Sequence, residues 1–379
     1  MTDMIIMTNA RIVLPSTVLD GHVVLRNGRI ADVGEGPSHI AGALDMDGDF
    51  LIPGVVDVHT DNLERQVQPR QNARWPSRSA MMAHDAQCAA AGVTSVLDAL
   101  CLGDLGFNEN RVRTFHDAVA DLTAMADTGL FKAEHFLHLR CEMPAPDVLI
   151  LFEPVAEHPR TRMISLMDHC PGVGQYANID YYRGLRRKDG FTDEYITARI
   201  AELQAQRARL RTPNRKAILA LAGALNVPLA SHDDRTEEEI AENIADGIMI
   251  SEFPVSMLAA KAAKAAGMAV IAGAPNIVRG GSHSGNVSAA DLVGAAAVDA
   301  FASDYVPASL VEAAFRCVTG GALDLPAAIA LVTDRPARMA HLLDRGRIKI
   351  GLRADLVRVR VHEGLPIVRQ VWRAGERVI

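Results

Sequence analysis

Apolar and polar positions along the middle of the chain form short apolar runs separated by longer, alanine-rich runs. The apolar runs have the length and β-branched content of strands, and the runs between them have helical periodicity. Strands that alternate with helices over residues 54–345 predict an α/β fold, the (β/α)₈ TIM-type barrel. The predicted strands are residues 55–61, 94–100, 135–142, 163–169, 228–234, 247–253, 269–274 and 300–306.

Two segments between these strands carry more specific expectations. Residues 196–210 predict a helix, with Asn214 as a candidate N-cap of the next one. The basic run RGLRRKDG at 183–190 predicts a loop with a solvated surface. The alternative architecture is a doubly wound open sheet. No glycine-rich phosphate or dinucleotide loop follows the first strand, which favours the barrel.

Both ends of the chain have a different texture, with strand-like runs separated by tight turns. Near the start, Asn27-Gly28 lies between two apolar runs and predicts a two-residue hairpin. The last residues, from Ala354 onward, contain the runs DLVRVRV and PIVRQVWR. We therefore expect residues 1–53 and 346–379 to form one composite β-sandwich, and residues 54–345 to form the catalytic barrel.

Composition narrows the class of protein. Hydrophobic residues make up 49% of the 379 residues and aromatic residues only 4%, which fits a globular protein with an aliphatic core. The net charge of −7 argues against a nucleic-acid or anionic membrane surface. The five cysteines include no CxxC pair, and no apolar run has the length of a membrane span. With no signal peptide in the first residues, a cytoplasmic location is expected.

Polar side chains that can ligate metals recur where the predicted strands end. In a barrel the carboxyl ends of the strands meet at one mouth, where catalysis takes place. Imidazole and carboxylate groups are suitable ligands for a divalent cation. The sequence therefore predicts a metal site in the mouth. Its candidates are His59, Asp61, Glu142, His169, His232 and Asp304, and Glu252 is a further polar residue at a strand end.

The spacing of some candidates leaves two interpretations open. His59 and Asp61 are two apart on a strand and so point to one face, which fits a metal site and equally a buried hydrogen-bonded pair. Glu142 must be paired or metal-bound at that depth, because an isolated buried charge is costly. Its neighbour Arg140 on the same strand face makes an ion pair as plausible as a metal ligand.

The remaining metal candidates come from later strands. His169 and His232 each end a strand beside an aspartate. A lone histidine is usually structural, but two in equivalent positions together with His59 favour a metal site. Asp304 ends the eighth strand, where it can ligate metal and also accept a proton from bound water.

Arginine and glycine near two strand ends suit an anionic substrate. Arg70 and Arg74 follow the first strand, and NIVRGGSHSGN (276–286) contains Arg279, His283 and several glycines. Arginine side chains and runs of free backbone amides both bind phosphate oxygens. The alternative for the second segment is a flexible surface loop.

Several motifs together resemble the amidohydrolase superfamily over nearly the whole chain. LIPGVVDVHTD at the first barrel strand and RPARMAHLLDRGRIKIGLRADLVRVRV near the end carry this resemblance. Within the superfamily, the chain resembles the PhnM-type diphosphatases of the carbon–phosphorus lyase pathway. The motifs are HTDNLE, WP (75–76), HDAQ, LHLRCE, MDHCPG, ASHDD, ISEFP, RGGSHSGN and ASDYVP.

The resemblance implies hydrolysis of α-D-ribose 1-methylphosphonate 5-triphosphate to the 5-phosphate and pyrophosphate. It implies one or two divalent cations, zinc ahead of manganese, iron or magnesium, and it allows a homodimer, since dimers are common in the superfamily. Many superfamily members bridge two metals with a carboxylated lysine. No lysine ends a barrel strand here, so Glu142 takes the bridging role in this interpretation. The other implied ligands are the first-strand pair, the paired histidines and the last-strand aspartate, namely His59, Asp61, His169, His232 and Asp304.

One feature of this assignment has two explanations. The paired histidines fall on predicted strands four and five, one strand earlier than is usual in the superfamily. Either two strands are merged in the prediction or the register of this chain differs.

The rival functions are hydrolysis of a cyclic amide, as in dihydroorotases and hydantoinases, and a non-catalytic barrel that serves as an assembly partner. HTDNLE and the arginines after the first strand speak against the former, and the retained ligand candidates speak against the latter.

Overall fold

Two β-sheets organise the computed structural model, which describes residues 4–70, 73–106, 110–282 and 285–379. One sheet comes from both ends of the chain and the other from the middle. The strands are β1 (Met4–Val13), β2 (Val18–Arg26), β3 (Arg29–Glu35), β4 (Leu44–Asp45), β5 (Phe50–Pro53), β6 (Val55–Thr60), β7 (Val93–Leu102), β8 (Glu134–Glu142), β9 (Thr161–Met167), β10 (Leu229–His232), β11 (Ile250–Glu252), β12 (Ala269–Gly273), β13 (Ala300–Ala302), β14 (Leu356–His362), β15 (Leu365–Arg373) and β16 (Glu376–Arg377).

The helices lie mainly between the strands of the middle sheet. They are α1 (Asn62–Val67), α2 (Ser77–Ala90), α3 (Asn110–Met125), α4 (Val148–Ala156), α5 (Ile179–Lys188), α6 (Asp193–Ala222), α7 (Glu237–Ala245), α8 (Met257–Ala265), α9 (Ala274–Arg279), α10 (Ala289–Gly294), α11 (Ser309–Thr319), α12 (Leu325–Ala330) and α13 (Asp334–Met339). In the described parts of the chain, none of these helices combines the length and the apolarity that crossing a membrane requires.

The sheet from the chain ends has the order β16-β15-β14-β5-β1-β2-β3, with β4 paired to β1. The predicted hairpin is present, because Asn27 and Gly28 join β2 to β3 with positive φ angles of 52° and 74°. A side chain at position 28 would approach the carbonyl oxygen of Ala374 to 2.8 Å, so glycine is required there. Strands from both ends thus share one sheet, while the division into two domains stays a prediction.

The middle sheet confirms the predicted barrel. Its eight parallel strands run in sequence order from β6 to β13, and each overlaps the strand predicted for it. A bridge between Thr60 and Asp304 joins the two edge strands and brings the barrel close to closure. No strands were merged in the prediction, so the paired histidines belong to barrel strands four and five.

Small and aliphatic side chains fill the barrel below its mouth. The cluster includes Val56, Leu97, Met163, Ile250 and Ala300, all nearly inaccessible to solvent. Such side chains from successive strands pack in layers across a barrel axis, so the interior is a core and not a channel. The barrel residues that present polar side chains to the mouth lie at or near the carboxyl ends of the strands.

Two local predictions are wrong. Asn214 does not cap a helix, because α6 continues through it; its Nδ2 donates to the carbonyl oxygens of Met143 and Ala145 at 2.8 and 3.0 Å. The basic run at 183–190 lies largely within α5, whose first turn is capped by the side chain of Asn178. In both cases contacts between distant or neighbouring segments outweigh the local signal.

Candidate active site

The strand ends of the barrel surround a cavity of about 750 Å³. Six of its lining residues were predicted as metal ligands, so the structure brings that set together at one mouth. The cavity also contains charged residues that carry no predicted role. The charged and imidazole groups that line it include His59, Asp61, Arg111, Arg140, Glu142, His169, Arg186, His232, Asp233, Arg279 and Asp304.

Three of the barrel strands lead into the mouth through a residue with left-handed backbone. Asp233 directly follows β10 with φ 59°, Phe253 directly follows β11 with φ 53°, and Asp304 follows β13 by two residues with φ 54°. Non-glycine residues seldom adopt this conformation, and strain of this kind collects at functional sites. These turns end the strands at the point where the polar side chains face the cavity.

His59 is oriented by a carboxylate from the sixth barrel strand. Its Nδ1 lies 2.8 Å from Glu252 Oε1, and both side chains are buried. Burial, and then the charge of Arg140, holds the pKa of His59 well below its usual value. Nδ1–H therefore donates to Glu252 and the neutral ring keeps Nε2 available as a ligand.

Glu142 pairs with His169 instead of Arg140. Its Oε2 lies 2.5 Å from His169 Nδ1, and its Oε1 accepts from the His169 backbone nitrogen at 2.8 Å. Burial would raise the pKa of Glu142, but the charge and hydrogen bonds of His169 outweigh it and lower the pKa. The predicted ion pair with Arg140 does not form. The bridging role of Glu142 stays a prediction.

His232 lies at the centre of the histidines. Its ring centroid is 5.8 Å from that of His59 and 5.6 Å from that of His169. Asp233 lies between the last two, with Oδ2 3.1 Å from His232 Nδ1 and 3.6 Å from His169 Nε2. Burial would lower the pKa of His232, but the charge of Asp233 prevails and raises it.

Two groups of possible metal ligands share His232. One consists of His59, His232 and Glu252, and the other of His169, His232 and Asp233. Within each group the ligand atoms lie within 4.8 Å of one another. In the described residues, Oε2 of Glu252 and Oδ2 of Asp233 are buried and accept no well-aligned hydrogen bond. Buried acceptors without an aligned donor fit a cation, so this set of ligand atoms suits one or two divalent metal ions.

Asp61 and Asp304 bring two more carboxylates to the mouth. The backbone nitrogen of Asp304 donates to the His59 carbonyl at 3.0 Å, and that of Asp61 donates to the Asp304 carbonyl at 2.9 Å. These bonds hold the first and last strand ends together. Burial, and then the negative charge of Asp61, raises the pKa of Asp304 to about 7. A cation beside the pair would relieve their repulsion.

The predicted phosphate-binding residues have different positions. Arg279 ends α9 and lines the cavity together with Gly281 and Ser282. Arg70 is exposed and does not belong to the described lining. Arg74 is already paired, with Nη2 2.6 Å from Asp117 Oδ2. His283 lies outside the described residues.

Sequence reasoning missed several residues of the mouth. Glu252 was recognised as a strand-end carboxylate but not as the partner of His59, and Asp233 only as a neighbour of His232. Arg140 was interpreted as an ion-pair partner. Arg111 and Arg186 belong to helices α3 and α5, which rise beside the cavity. The basic run that contains Arg186 was the one available signal.

A second cluster of histidines and aspartates lies between α2 and the strands β7 and β8. His84 Nε2 and His135 Nδ1 contact the two oxygens of Asp98 at 2.7 and 2.8 Å. His135 Nε2 lies 3.2 Å from Asp85 Oδ1, and His84 Nδ1 accepts from Asn62 at 3.0 Å. Every imidazole nitrogen in this buried network therefore has a protein partner. None of these five residues lines the cavity.

The chain is similar to a curated protein named alpha-D-ribose 1-methylphosphonate 5-triphosphate diphosphatase from Escherichia coli strain K12. The two are 42% identical over 376 residues, which cover 98% of this chain and 100% of that protein. A scan against protein-family models finds no match.

Solved structures share the fold at low sequence identity. N-acetyl-D-glucosamine-6-phosphate deacetylase from Mycobacterium smegmatis superposes with a TM-score of 0.64 at 15% identity, covering 100% of both chains. 5-Methylcytosine deaminase from Klebsiella pneumoniae gives 0.64 at 16%, covering 99% of this chain and 98% of that one. Dihydropyrimidinase from Brevibacillus agri gives 0.64 at 14%, covering 100% and 95%.

Proposed function

Because the chain belongs to the family of alpha-D-ribose 1-methylphosphonate 5-triphosphate diphosphatases, we propose that it hydrolyses this triphosphate to the 5-phosphate and pyrophosphate. One observation carries the proposal beyond family membership. The cavity holds a donor set suited to divalent cations beside the arginines Arg111, Arg140 and Arg279. A triphosphate needs both, since its charge must be offset where it binds and where it reacts.

The proposed metal ligands are the histidines of both candidate groups and the two carboxylates at the first and last strand ends. His59, Asp61, His169, His232 and Asp304 hold one or two divalent cations, zinc being the first candidate, and Glu142 keeps His169 in place. When bound, such a cation lowers the pKa of its water and offsets charge on phosphoryl oxygens. Glu252 acts behind His59, since its hydrogen bond to Nδ1 fixes the ring with Nε2 free.

Asp304 is the proposed proton acceptor. Its buried carboxylate lines the cavity beside the proposed ligands His59 and Asp61, where it can accept a proton from the attacking water. As the oxygen of water bonds to phosphorus, its proton passes to Asp304 and the bond to the pyrophosphate oxygen breaks. Arg279, at the rim of the cavity, binds the departing phosphates.

The experiment is an assay of product identity. Purified protein loaded with zinc or manganese is given the ribose 5-triphosphate phosphonate, and pyrophosphate and orthophosphate are quantified separately. We expect one pyrophosphate for each substrate consumed and no orthophosphate. Dihydroorotate is assayed beside it. Ring opening of dihydroorotate without release of pyrophosphate would reject the proposal in favour of cyclic-amide hydrolysis.

Three further properties stay predictions. They are the homodimer, the cytoplasmic location and the lack of a nucleic-acid partner. The anionic substrate itself is consistent with the arginines of the cavity. The net charge of −7 makes such local positive charge necessary for an anion to enter.

A further inference from the structure

Arg140 is a buried arginine at the centre of the metal-ligand cluster. It lies on β8, two residues before Glu142, and its side chain is only 8% exposed. It lines the cavity together with His59, His232 and Asp304. A guanidinium remains charged in any protein, so this position places a fixed cation inside the mouth.

The guanidinium of Arg140 makes few hydrogen bonds within the protein. In the described parts of the chain, Nε and Nη1 are buried and have no hydrogen-bond partner. Nη1 is 4.0 Å from Asp61 Oδ2, beyond hydrogen-bond distance, and Nη2 is 3.5 Å from His232 Nε2. Leaving charged donors buried without acceptors costs stability, so a buried arginine of this kind calls for an acceptor from outside the protein.

The position also fixes which part of a substrate Arg140 can meet. Its side chain lies 4.0 Å from Asp61 and 3.5 Å from His232, and it shares the cavity lining with Asp304. These are the groups that the proposed function assigns to the metal and to the attacking water. Arg279, by contrast, lies at the exposed end of α9. Arg140 is therefore beside the reacting atoms, and Arg279 is beside the distal phosphates.

We propose that Arg140 is a catalytic residue that binds the non-bridging oxygens of the phosphoryl group under attack. This inference rests on the proposed function, since it needs a phosphoanhydride in the cavity. Two N–H groups of one guanidinium can bind two phosphoryl oxygens, and their charge matches the negative charge that grows in the transition state. The unpartnered Nη1 and the neighbouring Nη2, whose contact with His232 Nε2 is long at 3.5 Å, form a converging pair of donors for this contact.

A different role for Arg140 would be to balance the carboxylates of the cluster without touching substrate. The two roles differ in what removal of the guanidinium changes. A counter-ion for carboxylates would alter metal content or stability. A donor to the reacting phosphoryl group would alter kcat and leave metal content and melting temperature unchanged.

The test compares Arg140→Gln and Arg140→Lys with the wild type, all loaded with metal. Arg162→Gln is the matched control, because Arg162 is a half-buried barrel arginine that donates to the Pro159 and Thr161 carbonyls instead of lining the cavity. On the ribose 5-triphosphate, Arg140→Gln should lower kcat about 100-fold or more, the effect of removing one donor to transition-state charge. Arg140→Lys keeps the charge without the fork and should fall between. The control should retain wild-type kcat.

Further measurements separate failure of this inference from failure of the proposed function. Metal content, thermal melts and calorimetric binding of inorganic pyrophosphate are recorded for each variant. Loss of pyrophosphate affinity in Arg140→Gln would support an anion-binding role even if the wild type hydrolysed some other phosphoanhydride. If the wild type hydrolyses the triphosphate and Arg140→Gln stays within about threefold, the inference fails and the proposed function stands. Activity loss matched by metal loss would overturn it in favour of the counter-ion role. A wild type that neither binds pyrophosphate nor hydrolyses the triphosphate would contradict both.

Discussion

The barrel carries two clusters built from the same residue types, and they differ in where their polar atoms find partners. In the buried network between α2 and the strands β7 and β8, His84 and His135 both bind Asp98, and His135 also binds Asp85, all within 3.2 Å. In the mouth, Glu252, Asp233 and Arg140 each have a buried polar atom with no aligned partner among the described residues.

This difference separates a structural site from a functional one. Both clusters contain histidine and carboxylate groups close enough to hold a metal ion. A network whose polar atoms are already paired gains little from binding a ligand. Unpaired buried polar atoms make binding more favourable for a ligand that supplies the missing partners. Whether the buried polar atoms of a cluster have hydrogen-bond partners therefore indicates function better than the residue types of the cluster do.

The largest expected effect is the loss of activity when a proposed metal ligand in the mouth is replaced. His59→Ala removes a proposed ligand and should reduce kcat/KM at least about 1,000-fold, since a metal supplies several kcal/mol of transition-state stabilisation at about 1.4 kcal/mol per tenfold. His84→Gln in the buried network is the matched control and should retain turnover in its folded fraction. Activity of His59→Ala within about tenfold of wild type, with circular dichroism confirming the fold of both, would break the comparison.

The next effect is on stability and comes from the buried network. Asp98→Asn leaves His84 and His135 without their shared carboxylate, and breaking a buried charged pair costs about 3–5 kcal/mol. Urea denaturation should show this loss in the free energy of unfolding, with metal content of the folded protein unchanged. A variant that is as stable as the wild type but depleted in metal would show that the metal binds in the buried network and not in the mouth.

Two arginines show the same contrast between an available and a paired side chain, with a smaller expected effect on activity. Arg279→Ala should weaken kcat/KM on the 5-triphosphate by roughly 2–4 kcal/mol, because it removes a charged partner of the phosphates. The loss should be smaller on a 5-diphosphate, which has fewer oxygens to hold. Arg74→Ala is the control, since Arg74 is occupied by Asp117 and Thr114. Equal losses on both substrates would mean that Arg279 does not bind the distal phosphates.

The effect that is smallest per step of the measurement, here one pH unit, is a pH dependence of stability. Burial lowers the pKa of His135, but Asp98 and Asp85 outweigh it and raise the pKa to about 9. The unfolded value is about 6.5, so the stabilisation is complete below that pH and is lost as pH rises to about 9. The free energy of unfolding should fall by up to about 1.4 kcal/mol per pH unit in this window. His135→Gln should remove that slope; an unchanged slope would show that other groups produce it.

The sequence predicts which residues reach the mouth of the barrel far better than it predicts which side chains pair there or in the buried network. Periodicity located all eight barrel strands, and strand ends brought His59, His169 and Asp304 to one mouth because parallel strands end together. The partners of Glu142 and Arg140 were not predictable. Neighbours on one strand face suggested that these two residues pair, but His169 after the next strand reaches Glu142 first.

The buried network escaped prediction for a related reason. His84, Asp98 and His135 are separated by 14 and 37 positions, and they meet only through the packing of α2 against the barrel wall. Arg186 enters the cavity because α5 folds as a helix where a loop was expected. Contacts of this kind depend on register and packing angle, which local patterns do not encode.

The most direct test of the account is metal analysis of two double variants beside the wild type. We expect the wild type and the folded fraction of His84→Gln/His135→Gln to bind one or two divalent cations per chain. His59→Ala/His232→Ala should bind none and release no pyrophosphate from the ribose 5-triphosphate. Full metal content in the mouth variant, together with metal loss in the folded network variant, would contradict the account.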